Sequence, residues 1–207
     1  MNLEILPLAI TMMVGPQIMS AILFVTAQRP VQTSAGFLVG VAVAASAGVA
    51  VALGLANLLG DSLGDSDNSG SLGRVIQYGL VALLVARAIQ TYAGRKTAVP
   101  PKWLGTLLTA DWKRAMKTGL LLIFVMPSDI IIMLTVGANL AQNNSSWIDA
   151  LPFIAATVLI AALPLLFYLL FGRRAKDAMP KVRDWMNVNS WLVNIIACSL
   201  FVILLLG

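Results

Sequence analysis

The stretch LLLIFVMPSDIIIMLTVG, residues 120–137, decides how this chain is read. It is apolar almost throughout and approaches the roughly 20 residues that an α-helix needs to cross a bilayer. Its middle holds three residues that hydrocarbon does not accept freely: Pro127, Ser128 and Asp129. Proline removes a backbone N–H and clashes with the preceding turn, so it breaks or kinks the helix and frees a carbonyl. Within a membrane the freed groups need a neighbour or water. An ionised carboxylate at mid-bilayer costs roughly 3 kcal/mol on insertion scales. Asp129 lies 12 residues beyond Lys117, about 18 Å at roughly 1.5 Å per residue, and so near the midplane. It must be neutralised, paired or facing water.

The composition agrees with a membrane setting. Of 207 residues, 59% are hydrophobic and 11% charged, against about a quarter charged in soluble domains. Six apolar runs suggest six spans, at about 5–27, 34–59, 75–93, 118–140, 150–171 and 189–206. The expected fold is an all-α integral membrane protein forming a single membrane domain over 1–207. Residues 1–93 make a first three-helix repeat and 118–207 a second, with a basic loop at 94–117 between them. The first run is too long for the apolar region of a cleavable signal.

The charges divide by loop. The third loop carries Arg95, Lys96, Lys102, Lys113, Arg114 and Lys117, and the fifth carries Arg173, Arg174, Lys176, Lys181 and Arg183. With Arg29 in the first loop, the positive-inside rule places all three loops in the cytoplasm of a prokaryotic plasma membrane and both termini outside. The net charge of +5 is thus a topology signal, and no nucleic-acid partner is expected. The second loop, GDSLGDSDNSGSLG (60–73), is acidic but lacks the glycine and terminal glutamate of a calcium loop. In the third loop KWLGTLLTADWKRAMK, residues 102–117, has apolar residues at helical spacing and reads as an amphipathic interfacial helix.

An odd number of spans per half makes any internal similarity an inverted repeat, a common transporter design. VGPQIMSAILFV (14–25) aligns with VMPSDIIIMLTV (125–136) at a constant offset of 111, with Pro16 matching Pro127. Matched breaks in two halves are the best sequence pointer to a midplane site. The candidate site is therefore Pro16 and Gln17, in the Gly15–Gln17 break, with Pro127, Ser128 and Asp129 in the Met126–Asp129 break. Arg87, eight residues before Arg95, is the candidate ion-pair partner, though its side chain can also reach the headgroups. Span two, dense in Gly, Ala and Ser, suits close helix packing or contact with a second copy of the chain.

The chain has no histidine and one cysteine, Cys198. That leaves no intramolecular disulfide, no cysteine-rich metal site, no Ser-His-Asp set and no carboxylate pair at useful spacing. An enzyme, a cofactor and a metal are not expected.

PPKWLGTLLTADWKRAMKTGLLLIFVMPSDIIIMLTVGANLA (100–141) resembles the middle of the GAP-like, or sulfolipid-1-addressing protein, family of the LysE transporter superfamily. GPQIMSAILFV resembles the first-half counterpart. The segment 164–207, with its basic loop and W-x-x-x-N entering the last span, resembles the family's C-terminal end. The resemblance implies six spans and a role in moving a cell-envelope lipid or glycolipid, with lipid-linked cargo as partner. Relatives in the superfamily export small solutes, so a proton-coupled exporter of a small, perhaps cationic, solute is the alternative. An accessory subunit of an envelope-lipid machine is a third. The chain departs from the family where the pattern N-P-K-N is replaced by Met126, Pro127, Ser128 and Asp129. Ser128 stands where a lysine is expected and an acid, Asp129, follows it, so a lysine-held anionic cargo does not carry over.

Overall fold

A computed structural model describes residues 5–13, 16–63 and 109–189, with 89 and 192 as isolated positions. Every regular element among them is a helix: α1 (Leu6–Met13), α2 (Pro16–Val25), α3 (Pro30–Leu63), α4 (Trp112–Val125), α5 (Pro127–Gln142), a short 3-10 turn (Trp147–Ala150), α6 (Leu151–Phe171) and α7 (Arg173–Val188). Expected spans three and six lie outside the described residues, as do Arg87, Cys198 and the acidic loop beyond residue 63.

Pro30–Leu58 and Trp147–Phe171 are long and apolar enough to cross a membrane. Two further spans are formed if each broken pair counts as one. The pair α1–α2 bends by 68° and the pair α4–α5 by 73°. The chain is a membrane protein with two to four spans among its described residues.

Both breaks fall where a proline begins the second helix. Met126, held before Pro127, takes φ −78° and ψ 118°. This is the extended conformation that the proline ring imposes on its predecessor. The Met126 N–H still closes α4 on the Leu122 carbonyl at 3.0 Å, and its own carbonyl receives Asp129 N–H at 3.1 Å to open α5. Replacing Pro127 by alanine lifts the restriction and restores a donor, so the pair is expected to straighten. Spin labels at the exposed Leu121 and Leu134 should then move apart by roughly 4 Å, from helix rise and the lost bend. An unchanged distance would mean that packing on α3 holds the bend.

α3 is the hub. It packs against α4, α5 and α6, burying Phe37, Val41, Ala44, Ala45, Val49 and Ala52. Close approach depends on missing side chains. A Cβ on Gly119 would lie 2.5 Å from the Phe37 carbonyl oxygen, and one on Gly137 would lie 2.6 Å from the Ala52 backbone. Contacts advance in step, Gly36 with Trp112, Gly48 with Met133 and Ala52 with Gly137. α3 therefore runs in the same direction as α4 and α5.

Two boundaries differ from the expectation. The helix that carries the expected fourth span begins at Trp112, not near 118. The Asp111 carboxylate accepts the Arg114 N–H at 2.9 Å and caps a new helix there. The described part of the expected interfacial helix, from Trp112 on, is continuous with α4. Its residues 102–108 lie outside the described residues. The fifth loop, conversely, is an amphipathic helix, α7. Ala175 and Met179 are buried, with Met179 in a cluster with Met19, Ile22 and Val25 of α2. Gly172, at φ +51°, ends α6 and turns the chain into it. A residue with a Cβ is strained at that dihedral.

Candidate functional site

The prolines set the first residues of α2 and α5, because the missing N–H costs nothing at a helix start. The next polar residues then fall in the first turn of each half-helix. Gln17 follows Pro16, and Asp129 stands two after Pro127. A first-turn carboxylate is also favoured by the positive end of the helix dipole.

These two residues meet. The Gln17 side-chain amide donates to Asp129 Oδ2 at 2.5 Å, and the Ser128 hydroxyl donates to Oδ1 at 3.3 Å. Gln17 and Asp129 are each only 1% exposed. They sit beside an apolar core that includes Met12, Met13, Ile132 and Met133. The contact offsets part of the cost of burying these two polar groups, by giving the Gln17 amide N–H an acceptor. The contact joins the two broken helices across 112 residues of chain.

The other predicted residues stand differently. Pro127 and Ser128 are exposed and Pro16 is partly buried, so only Gln17 and Asp129 are enclosed. Arg87 and Gly15 lie outside the described residues. Among the described residues no three His, Cys, Asp or Glu side chains group as a metal site.

Sequence reading missed further buried polar atoms, among them Ser20 on the same helix as Gln17. Gln17 Oε1, Ser20 Oγ, Thr11 Oγ1 and Ser34 Oγ are buried without a hydrogen-bond partner. Ser20 lies three residues after Gln17, on the same face of α2, and that spacing was the available signal. Unsatisfied buried groups are costly, and two of these four belong to α2. They make its inner face a place where polar atoms of a cargo, or water, would be stabilised.

The family model described as Sap, sulfolipid-1-addressing protein, matches residues 5–207, nearly the whole chain. No curated protein and no solved structure matches it.

Proposed function

The chain belongs to the sulfolipid-1-addressing protein family, and on that premise we propose that it is a transporter that moves a cell-envelope lipid or glycolipid across the cytoplasmic membrane. One observation carries the reading: the enclosed Gln17–Asp129 contact ties together two broken helices. Discontinuous helices with polar residues at their breaks are how transporters build midplane sites. An intramembrane acid marks a substrate or proton path by default.

The conformation described is closed at this centre, since Gln17 and Asp129 are both shut off from solvent. In the proposed cycle the bend at Met126 acts as a hinge. Parting α2 from α5 breaks the amide–carboxyl contact and presents both groups, with Ser20, to the cargo. Apolar, outward-facing side chains such as Phe124, Val125 and Leu163 leave acyl chains in contact with lipid while the head passes. No catalytic step and no cofactor enters this cycle.

The six-span inverted repeat of the LysE type belongs to the same reading. Two spans that run in one direction, α3 and α4–α5, need an odd number of crossings between them. The apolar run at about 75–93 supplies one. Basic loops inside and termini outside complete the topology.

The small size of the polar centre favours one rival. An amide and a single carboxyl suit a small cationic solute, exported with Asp129 as the coupling group. Cells lacking the protein separate the two. Under the lipid reading one envelope lipid or lipid-linked precursor is misplaced, and the wild-type chain restores it. An unchanged lipid profile would remove that reading and leave solute efflux as the assay to run.

A further inference from the structure

A second polar feature lies far from the Gln17–Asp129 centre, where α2 hands over to α3 and α4 begins. Residues of both corners line an open cavity of about 440 Å³, within the range of roughly 300–1,000 Å³ that small-molecule sites occupy. Its walls include Gln28, Arg29, Gln32, Thr33, Trp112 and Lys113.

The lining is built, not incidental. The Thr33 hydroxyl lies between the Phe24 carbonyl at 2.9 Å and the Arg29 carbonyl at 2.8 Å and shares its one proton between them, fixing the corner between α2 and α3. Trp112 lies against Gly36, where a Cβ would come within 3.0 Å of its ring. That contact holds the start of α4 beside the start of α3. On this frame Gln28, Arg29, Gln32 and Lys113 are exposed and reachable. Asp111 also borders the cavity, but one of its oxygens is engaged by the Arg114 N–H. The donors that remain are a guanidinium, an ammonium and two amides. That set matches a tetrahedral oxyanion.

The surroundings say how such an anion arrives. Trp112 opens α4 beside the cations Lys113 and Arg114, and an aromatic next to cations at the end of an apolar helix is the pattern of a membrane–water interface. From Val31, beside the cavity, an exposed apolar stripe continues along α3 through Val39 and Val43 at helical spacing. An acyl chain covers such a stripe, and a free anion does not.

We propose that this pocket binds the phosphate-bearing headgroup of an anionic lipid from the leaflet on the basic side of the membrane. The site is separate from the Gln17–Asp129 centre and does not depend on the transport reading.

The test reconstitutes the full chain in phosphatidylcholine nanodiscs, with and without phosphatidylglycerol, and counts retained lipids by native mass spectrometry. The wild type is expected to retain phosphatidylglycerol selectively. The double variant Arg29→Gln with Lys113→Gln should weaken retention roughly tenfold or more, as lost charge-assisted hydrogen bonds imply. Both residues are exposed, so the variant should fold. The control is Arg114→Gln with Lys117→Gln, exposed cations on the same side but outside the pocket. Equal weakening by the control would reduce the effect to general surface attraction and overturn the pocket. Inorganic phosphate is the second arm. If it binds in pure phosphatidylcholine discs with the same dependence on Arg29 and Lys113, and phosphatidylglycerol is not preferred, the occupant is a soluble oxyanion and the lipid assignment falls. Because the readout is binding, an unchanged lipid profile in cells leaves this result standing.

Discussion

Asp129→Asn is expected to give a folded protein that fails to restore the envelope-lipid profile of cells lacking the wild type. The two side chains are nearly the same shape, and the asparagine carbonyl can still accept from the Gln17 amide, so the contact at 2.5 Å has a substitute. What is lost is the ability to carry charge and exchange a proton. Asp129→Leu is the contrasting variant. It strips the acceptor and leaves the Gln17 amide unpaired within the core, at a cost of about 1–2 kcal/mol on the scale of interhelical hydrogen bonds in membranes. Gln17→Leu should lose a similar amount. The double variant should lose less than the sum, because the two residues act on one bond. Unfolding in detergent reads the stabilities, and lipid profiling reads the function. Full restoration by Asp129→Asn would show that the acid is a structural acceptor only, and the proposed role of Asp129 in handling cargo or protons would be lost.

The second large effect concerns the seam along α3. Gly119→Ala and Gly137→Ala are each expected to destabilise the protein by about 2–3 kcal/mol, the upper range for overpacking. In both cases the added methyl meets backbone: the Phe37 carbonyl for Gly119, and the Ala52 and Leu53 main chain for Gly137. Backbone inside a packed helix cannot swing aside as a long side chain can. The α3–α4 or α3–α5 crossing must therefore open. Gly54→Ala supplies the reference, since nothing lies within 4 Å of its Cβ position, and its stability should change little. If all three variants unfold alike, helix–helix approach is not what these glycines provide. A destabilised seam should also disturb the Gln17–Asp129 contact, because α3 supports α5 along the turns that follow Asp129.

Much of this was legible in the residues themselves. Hydropathy gives the membrane setting, because uninterrupted apolar runs of this length have no other stable place. Prolines at 16 and 127 mark the breaks, since a missing N–H and a fixed φ act locally. Gln17 and Asp129 were marked by the same reasoning, being polar groups where hydrocarbon excludes them. Family membership over 5–207 was legible in the middle of the chain. Helix ends were less so. The cap at Asp111 places α4 six residues earlier than the hydropathy edge near 118, because capping is a side-chain hydrogen bond and hydropathy does not register it. The basic segment 173–188 looked like a loop since its charges outweigh the few apolar residues, Ala175 and Met179, that dock it on α2 and α6.

What the chain alone determined is the medium, the breaks and the presence of an acid that needs a partner, all consequences of single residues meeting hydrocarbon. The partner itself was decided only in three dimensions. Sequence marked Gln17 and Asp129 each at its own break, and only the folded chain brings the Gln17 amide to Asp129 from 112 positions away. That pairing depends on how α2 and α5 are angled and how closely glycines let α5 approach α3. The cavity at Arg29 and Lys113 arose in the same way, from two helix starts more than 80 residues apart that the Gly36–Trp112 contact holds side by side. Crossing angles and approach distances are set by packing, and no short stretch of sequence contains them.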